Sequence, residues 1–317
     1  GGGGGQPPRV IVLDLNIKEA IMAKYTLDPV RYDLDEIYAY TDTNDERLQI
    51  LNDPHITHYR TKTIKSGNVL ECEIYPVWNT YRATGRARKT RESRKAQKSL
   101  NAKNATKNLI RLINANFTDN DIWGTVTYSP TKLPLTVEAA QKEMQKYMRR
   151  LKYYAERHGY PPLKYVYVTE FEDDPEKGKK RVHHHFVTNF PDRDVAEKLW
   201  RNGARTQTRR LQADESGYEG MARYISKDPR GSKRYVASKN LQKPQITIAD
   251  CKFTRNKVNR LVNEKINRRA VFEQMYKGYN LTSFTAKQSV YVSGAYVYVK
   301  MARSQQKEAT KREIHRE

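Results

Sequence analysis

"RVHHHFVTNF", residues 181–190, sets three of the chain's seven histidines side by side in a segment flanked by apolar residues. Alternate residues of an extended strand share a face. His183 and His185 therefore point one way with Val187, while Val182, His184 and Phe186 point the other way, toward the more apolar side. The run before it, "LKYVYVTEFE" (163–172), also has strand composition, and only the polar link "DDPEKGKK" separates the two. Two long strands joined in this way pair antiparallel. On the first of them Val166, Val168, Glu170 and Glu172 share a face, so the hairpin sets Glu170 or Glu172 beside His183 and His185. Two imidazoles and a carboxylate with open positions compose a divalent-metal site. The competing reading is an exposed polar hairpin with hydrogen-bonded histidines.

Working outward, "DIWGTVTY" (121–128) is a strand. "LTVEAAQKEMQKYMRRLKYYAERHG" (135–159) is a helix, with Thr136 as N-cap, Gly159 as stop and Ala140, Met144, Met148 and Leu151 at helical spacing. "DRDVAEKLWRNG" is a short helix, "ARTQTRRLQ" a strand, and "SGYEGMARYISKD" (216–228) a helix ended by Pro229 and Gly231. The order β-α-β-β-α-β-α implies an α+β fold, with helices against one mostly antiparallel sheet.

On the N-terminal side, "THYRTKTIKSGNVLECEIYPVW" (57–78) predicts a hairpin turning at "SGN". "SLNAKNATKNLIRLINANF" predicts a helix with Leu109, Ile110, Leu112 and Ile113 on one stripe. Toward the C-terminus, "KRYVASKNLQKPQITIAD" carries few cues. "TRNKVNRLVNEKINRRAVFEQMY" (254–276) predicts one basic helix, and "QSVYVSGAYVYVKM" (288–301) a hairpin. The expected organisation is a flexible arm or cloning scar at 1–8, an N-terminal region at 9–118, a central domain at 119–231 and a C-terminal extension at 232–317.

The formal charge is +23, from 59 basic and 36 acidic residues. This excess favours a polyanionic partner, nucleic acid first. It is concentrated between Arg82 and Lys107, where ten Lys/Arg stand against one acid, Glu92. Arg86, Arg88, Lys89, Arg91, Arg94 and Lys95 are the expected backbone-phosphate contacts there, against the bland reading of a solvated helix face or linker. No apolar run approaches the ~20 residues of a spanning helix. The two cysteines, Cys72 and Cys251, form neither a CxxC nor a disulfide framework. The chain reads as soluble and cytoplasmic. It contains no P-loop signature.

One further residue invites chemistry. Tyr224 stands three positions before Lys227, about 60° away around a helix and therefore its neighbour. Tyr218 lies on another side, and Tyr235 lies past the helix end. A core tyrosine beside a solvated lysine is the ordinary reading. The phenol can instead act as a nucleophile toward a phosphodiester, with the lysine stabilising developing charge.

"TVTY" (125–128), "VTEFE" with "RVHHHFV", and "YISK" (224–227), in this order, resemble the three motifs of the HUH endonucleases. That superfamily includes rolling-circle replication initiators, relaxases and single-strand transposases. The flanking "GNVLECEIYPVW", "RLINANF", "KLWRNG" and "SKNLQKP" resemble its bacterial branch, the replication-associated proteins of plasmids, phages and integrated elements. The resemblance implies an HUH/RRM-like sheet with N- and C-terminal extensions. It implies His183 and His185 as metal ligands with Glu170 third (Glu172 as fallback), Mg²⁺ or Mn²⁺ as the ion, Tyr224 as nucleophile and Lys227 as its neighbour. Thr125 and Thr127 would floor the DNA. The family has a bulky apolar residue where this chain has His184. A one-residue slip would make His184 the ligand, and Phe186 and Val187 favour the first register.

The implied activity is nicking and strand transfer through a 5′-phosphotyrosine, initiating rolling-circle replication in a bacterial cytoplasm. Its partners would be single-stranded or extruded origin DNA, a host or separately encoded helicase and polymerase, and a second protomer. The second protomer is invoked because Gly220 and Asp228 occupy the positions four residues from Tyr224, so the helix offers no tyrosine pair. The rivals are a relaxase or transposase with the same chemistry, and a non-catalytic DNA- or RNA-binding regulator.

Overall fold

The computed structural model describes residues 56–78, 95–174, 179–203, 206–226, 234–288 and 294–304. The protein is α+β, built on two antiparallel five-stranded sheets. The elements are β1 (Ile56–Ser66), β2 (Val69–Trp78), α1 (Lys95–Asn116), β3 (Ile122–Thr127), α2 (Val137–Arg157), β4 (Tyr165–Asp174), β5 (Lys179–Thr188) and α3 (Arg193–Leu199). They continue with β6 (Thr206–Arg210), α4 (Glu219–Ile225), β7 (Val236–Ala237), β8 (Gln245–Asp250), α5 (Arg255–Val262), α6 (Arg268–Met275), β9 (Tyr279–Gln288) and β10 (Ala295–Arg303). Among the described residues no helix is long and apolar enough to cross a membrane.

The central sheet has the order β6-β3-β5-β4-β7. Helices α2 and α3 cover one of its faces. Thr136 caps α2 by accepting from the backbone N–H of Ala139, and Gly159 turns the chain at φ +68°. Between these ends Ala140, Met144, Tyr147, Met148, Leu151 and Ala155 recur every three or four residues and are buried. They pack on Ile122, Val126, Tyr167 and Phe186. Gly124 is fixed by this packing, since a Cβ there would lie 2.8 Å from the Phe186 ring.

The opposite face is only partly covered. Leu109, Ile110 and Ile113 of α1 and Phe117 just after it, with Ala222 and Ile225 of α4, bury Val166, Val168 and Val187. The rest of that face stays accessible, and the candidate site lies on it.

The second sheet, β8-β1-β2-β10-β9, joins the N-terminal hairpin to the C-terminal strands. The hairpin turns at Gly67, φ +58°, where a Cβ would meet the carbonyl of Asn114 at 2.0 Å. One face packs on α5 and α6 through Leu70, Cys72, Ile74, Val258, Leu261, Phe272, Val297 and Val299. The other carries Glu71, Glu73 and Tyr298 against Arg111 of α1. Arg111 donates to Glu71, and Nη2 of Arg111 donates to Glu73 at 3.3 Å. Tyr298 donates to Glu71 at 2.9 Å.

Two expectations on this side need correction, and one segment without an expectation gains structure. The basic segment 254–276 is two helices, because Glu264 adopts φ +57° and Asn267 starts a new helix by accepting from the N–H of Ala270. The last hairpin begins earlier than expected: β9 ends at Gln288, where it pairs with Ala295. The segment 233–250, which carried few cues, supplies β7 and β8, paired to β4 and β1.

Candidate active site

The register of β4, β5 and β3 assembles the site. Glu170 lies opposite His183, Val168 opposite His185, and Glu172 opposite Arg181. On the other side of β5, Thr125 lies opposite His185 and Thr127 opposite His183. Paired residues share a face, so Glu170, His183, His185, Thr125 and Thr127 emerge together.

The side chains converge further. Oε2 of Glu170 lies 3.0 Å from Nε2 of His183, and Oε1 lies 3.6 Å from Nε2 of His185. The two imidazoles stand perpendicular with centroids 4.9 Å apart. One ligand atom from each of the three residues lies within 4.8 Å of the others. Nδ1 of His185 is hydrogen-bonded to Oγ1 of Thr125 at 2.9 Å. A metal on Nε2 requires the proton on Nδ1, which then donates to Thr125; this partner fixes ring and tautomer. Nδ1 of His183 is buried and has no partner among the described residues. The two-nitrogen, one-oxygen donor set fits a divalent metal ion.

His184 faces the opposite way and is fully buried. Its Nε2 meets the Tyr128 hydroxyl at 2.8 Å and its Nδ1 the Thr169 hydroxyl at 3.0 Å. Burial first, then the neighbouring His183 and His185, push its pKa down to about 3. It is a neutral core histidine with both ring nitrogens engaged.

Tyr224 projects from α4. The buried positions around that helix are Tyr218, Ala222 and Ile225, spaced four and three apart, so Tyr224, about 100° or more from each of them, falls outside the buried stripe and stays 59 % exposed. Its ring meets His185 edge-on at 5.4 Å and Trp123 at 6.3 Å. Tyr218 is unsuited to attack, because it is buried and its hydroxyl donates to Asp119 at 2.9 Å. Burial and that carboxylate raise its pKa. Burial also raises that of Tyr235.

Lys227 and the arm residues Arg86, Arg88, Lys89, Arg91 and Arg94 lie outside the described residues, and Lys95 opens α1. Sequence reasoning did not single out Trp123, Gln207 and Arg209. With Gly124, Thr125 and Tyr224 they line an open pocket of about 320 Å³. The period-2 rule applied to "TQTRR" would have put Gln207 and Arg209 on one face, but not which strand they adjoin.

Residues 121–229 match the model of the family described as replication-associated protein ORF2/G2P. The matched span contains β3 to α4 and every residue of the site. The match supports a Rep-like replication protein. No curated protein and no solved structure matches the chain.

Proposed function

We propose that the protein initiates rolling-circle DNA replication by nicking single-stranded or extruded origin DNA in a metal-dependent reaction. The observation that carries this reading is the exposed Tyr224 packed against His185, whose Nε2 shares the Glu170 carboxylate with His183. A tyrosine phenol beside a metal-binding triad on an open sheet face has the parts for phosphodiester transfer.

Tyr224 supplies the nucleophilic Oη. Its bond to phosphorus forms as the bond from phosphorus to the 3′ oxygen breaks. The phenol loses its proton, the departing oxygen gains one, and a 5′-phosphotyrosine and a free 3′-OH result. The exchange conserves one phosphodiester bond, so the reverse attack by a 3′-OH rejoins DNA without ATP. Held by Glu170, His183 and His185, a divalent ion would draw charge from the non-bridging oxygens of the phosphate. Thr125 orients His185, while His185 and Trp123 flank the Tyr224 ring. The 3′-OH serves a polymerase, and unwinding falls to a separate helicase.

The test incubates the protein with a pool of single-stranded oligonucleotides and Mn²⁺, followed by a denaturing gel. A covalent protein–DNA band is expected for wild type and lost on chelation and in Tyr224→Phe. Salt-sensitive binding without such a band would support a non-catalytic DNA-binding protein instead.

A further inference from the structure

Strand β6 divides its side chains into two sets. Thr208 donates to Oε1 of Glu197 at 2.6 Å, and Arg210 donates to the carbonyls of Asn120 and Pro191. These two are spent on the fold. Gln207 and Arg209 point to the other face and are exposed. Among the described residues neither side chain has a hydrogen-bond or ion-pair partner. Register places Gln207 opposite Thr125 and Arg209 opposite Trp123, so both reach the pocket that Tyr224 also lines.

We infer that this pocket receives one unpaired base of the nucleotide adjoining the scissile phosphate, with guanine preferred. This rests on the nicking reading and adds the residues that set its sequence preference. The volume stands at the small end of ligand sites, about 300–1,000 Å³, and the pocket is open, as suits a base presented by a strand lying along the sheet. Trp123 supplies a flat apolar wall. Arg209 offers a fork of donors and no acceptor, which matches the O6 and N7 acceptors of guanine. Gln207 adds one donor and one acceptor for the remaining edge. Single-stranded bases are read in this manner, by aromatic contact and hydrogen bonds to their edges. Because Tyr224 and Thr125 belong to both pocket and active site, the base that enters is beside the cut.

The test uses a degenerate single-stranded oligonucleotide pool with full-length protein and Mn²⁺, and sequences the products aligned on the cut. Wild type should show guanine enriched at one nucleotide next to the cleaved bond, by roughly tenfold to a hundredfold for a bidentate contact. Arg209→Ala and Gln207→Ala should flatten that position and leave the other positions unchanged. Arg209→Lys, which keeps the charge but not the fork, should flatten it too. A uniform loss of yield in Arg209→Ala, with the preference intact, would mean a phosphate contact and overturn the inference. So would a wild-type profile flat at both flanking nucleotides.

If wild type forms no adduct, the nicking reading fails. The pocket is then read by binding: the same pool is selected on the protein without metal. A preference for guanine at one position of the selected sequences, lost in Arg209→Ala, sustains base reading. Its absence, or its survival in the variant, ends it.

Discussion

His184 and Thr125 show how single side chains divide between holding the fold and serving the site. Both nitrogens of His184 are engaged inside the core by Tyr128 and Thr169. In His184→Leu those hydroxyls lose a buried partner, a cost of about 1–3 kcal/mol. The expected result is a lower Tm with Mn²⁺-dependent nicking preserved at low temperature, whereas His183→Ala and His185→Ala stay folded and do not nick. A folded but inactive His184→Leu would contradict the division. Thr125 is not one of the candidate ligands but holds Nδ1 of His185. Thr125→Val keeps the shape and removes the hydroxyl. Mn²⁺ affinity should fall tenfold to a hundredfold, the usual effect of losing such a partner, and calorimetric titration of the protein without DNA measures it. Unchanged affinity would show that Thr125 does not position the ring.

At the scale of elements, α4 is short and its placement depends on its surroundings. Asn114 of α1 accepts from the N–H of Tyr218, and Lys300 of β10 donates to Glu219, which also pairs with Arg223. Burial pulls the Glu219 carboxyl up, but the Lys300 and Arg223 cations outweigh it and leave its pKa below the ordinary 4.5. A depressed carboxylate stabilises the fold above its unfolded pKa, and the contribution fades as pH falls through the folded value. Wild type should therefore lose stability below about pH 4.5, and Glu219→Gln should show a shallower acid slope in thermal unfolding; identical slopes would refute the tie. The strands of the site were legible in the sequence because both faces of β4 and β5 announce themselves with period 2, and α2 because Thr136 and Gly159 bracket a clean apolar stripe. Other elements were not. β6 is five residues long and mostly exposed, and adjacency across a sheet between strands far apart in sequence leaves no local mark. The exposed β8 shows no buried alternation. The break between α5 and α6 rests on Asn267, a residue type that occurs in helix interiors as well as at caps.

For the whole molecule, the two sheets share α1. Its apolar side completes the core of the central sheet through Leu109, Ile110 and Ile113, while Arg111 inserts into the acidic face of the second sheet. A fragment starting at residue 119 would expose the surface over Val166, Val168 and Val187. It should lack a cooperative thermal transition that a fragment spanning 56–304 retains; a cooperative 119–231 fragment would show that α1 is dispensable. The central claim concerns one hydroxyl on this scaffold. Its most direct measurement is peptide mapping by mass spectrometry of the covalent adduct formed with single-stranded DNA and Mn²⁺. The account predicts DNA attached through Tyr224 alone, with no adduct in Tyr224→Phe or after chelation. Attachment at Tyr218 or Tyr235, or cleavage that leaves no protein on the DNA, would contradict it.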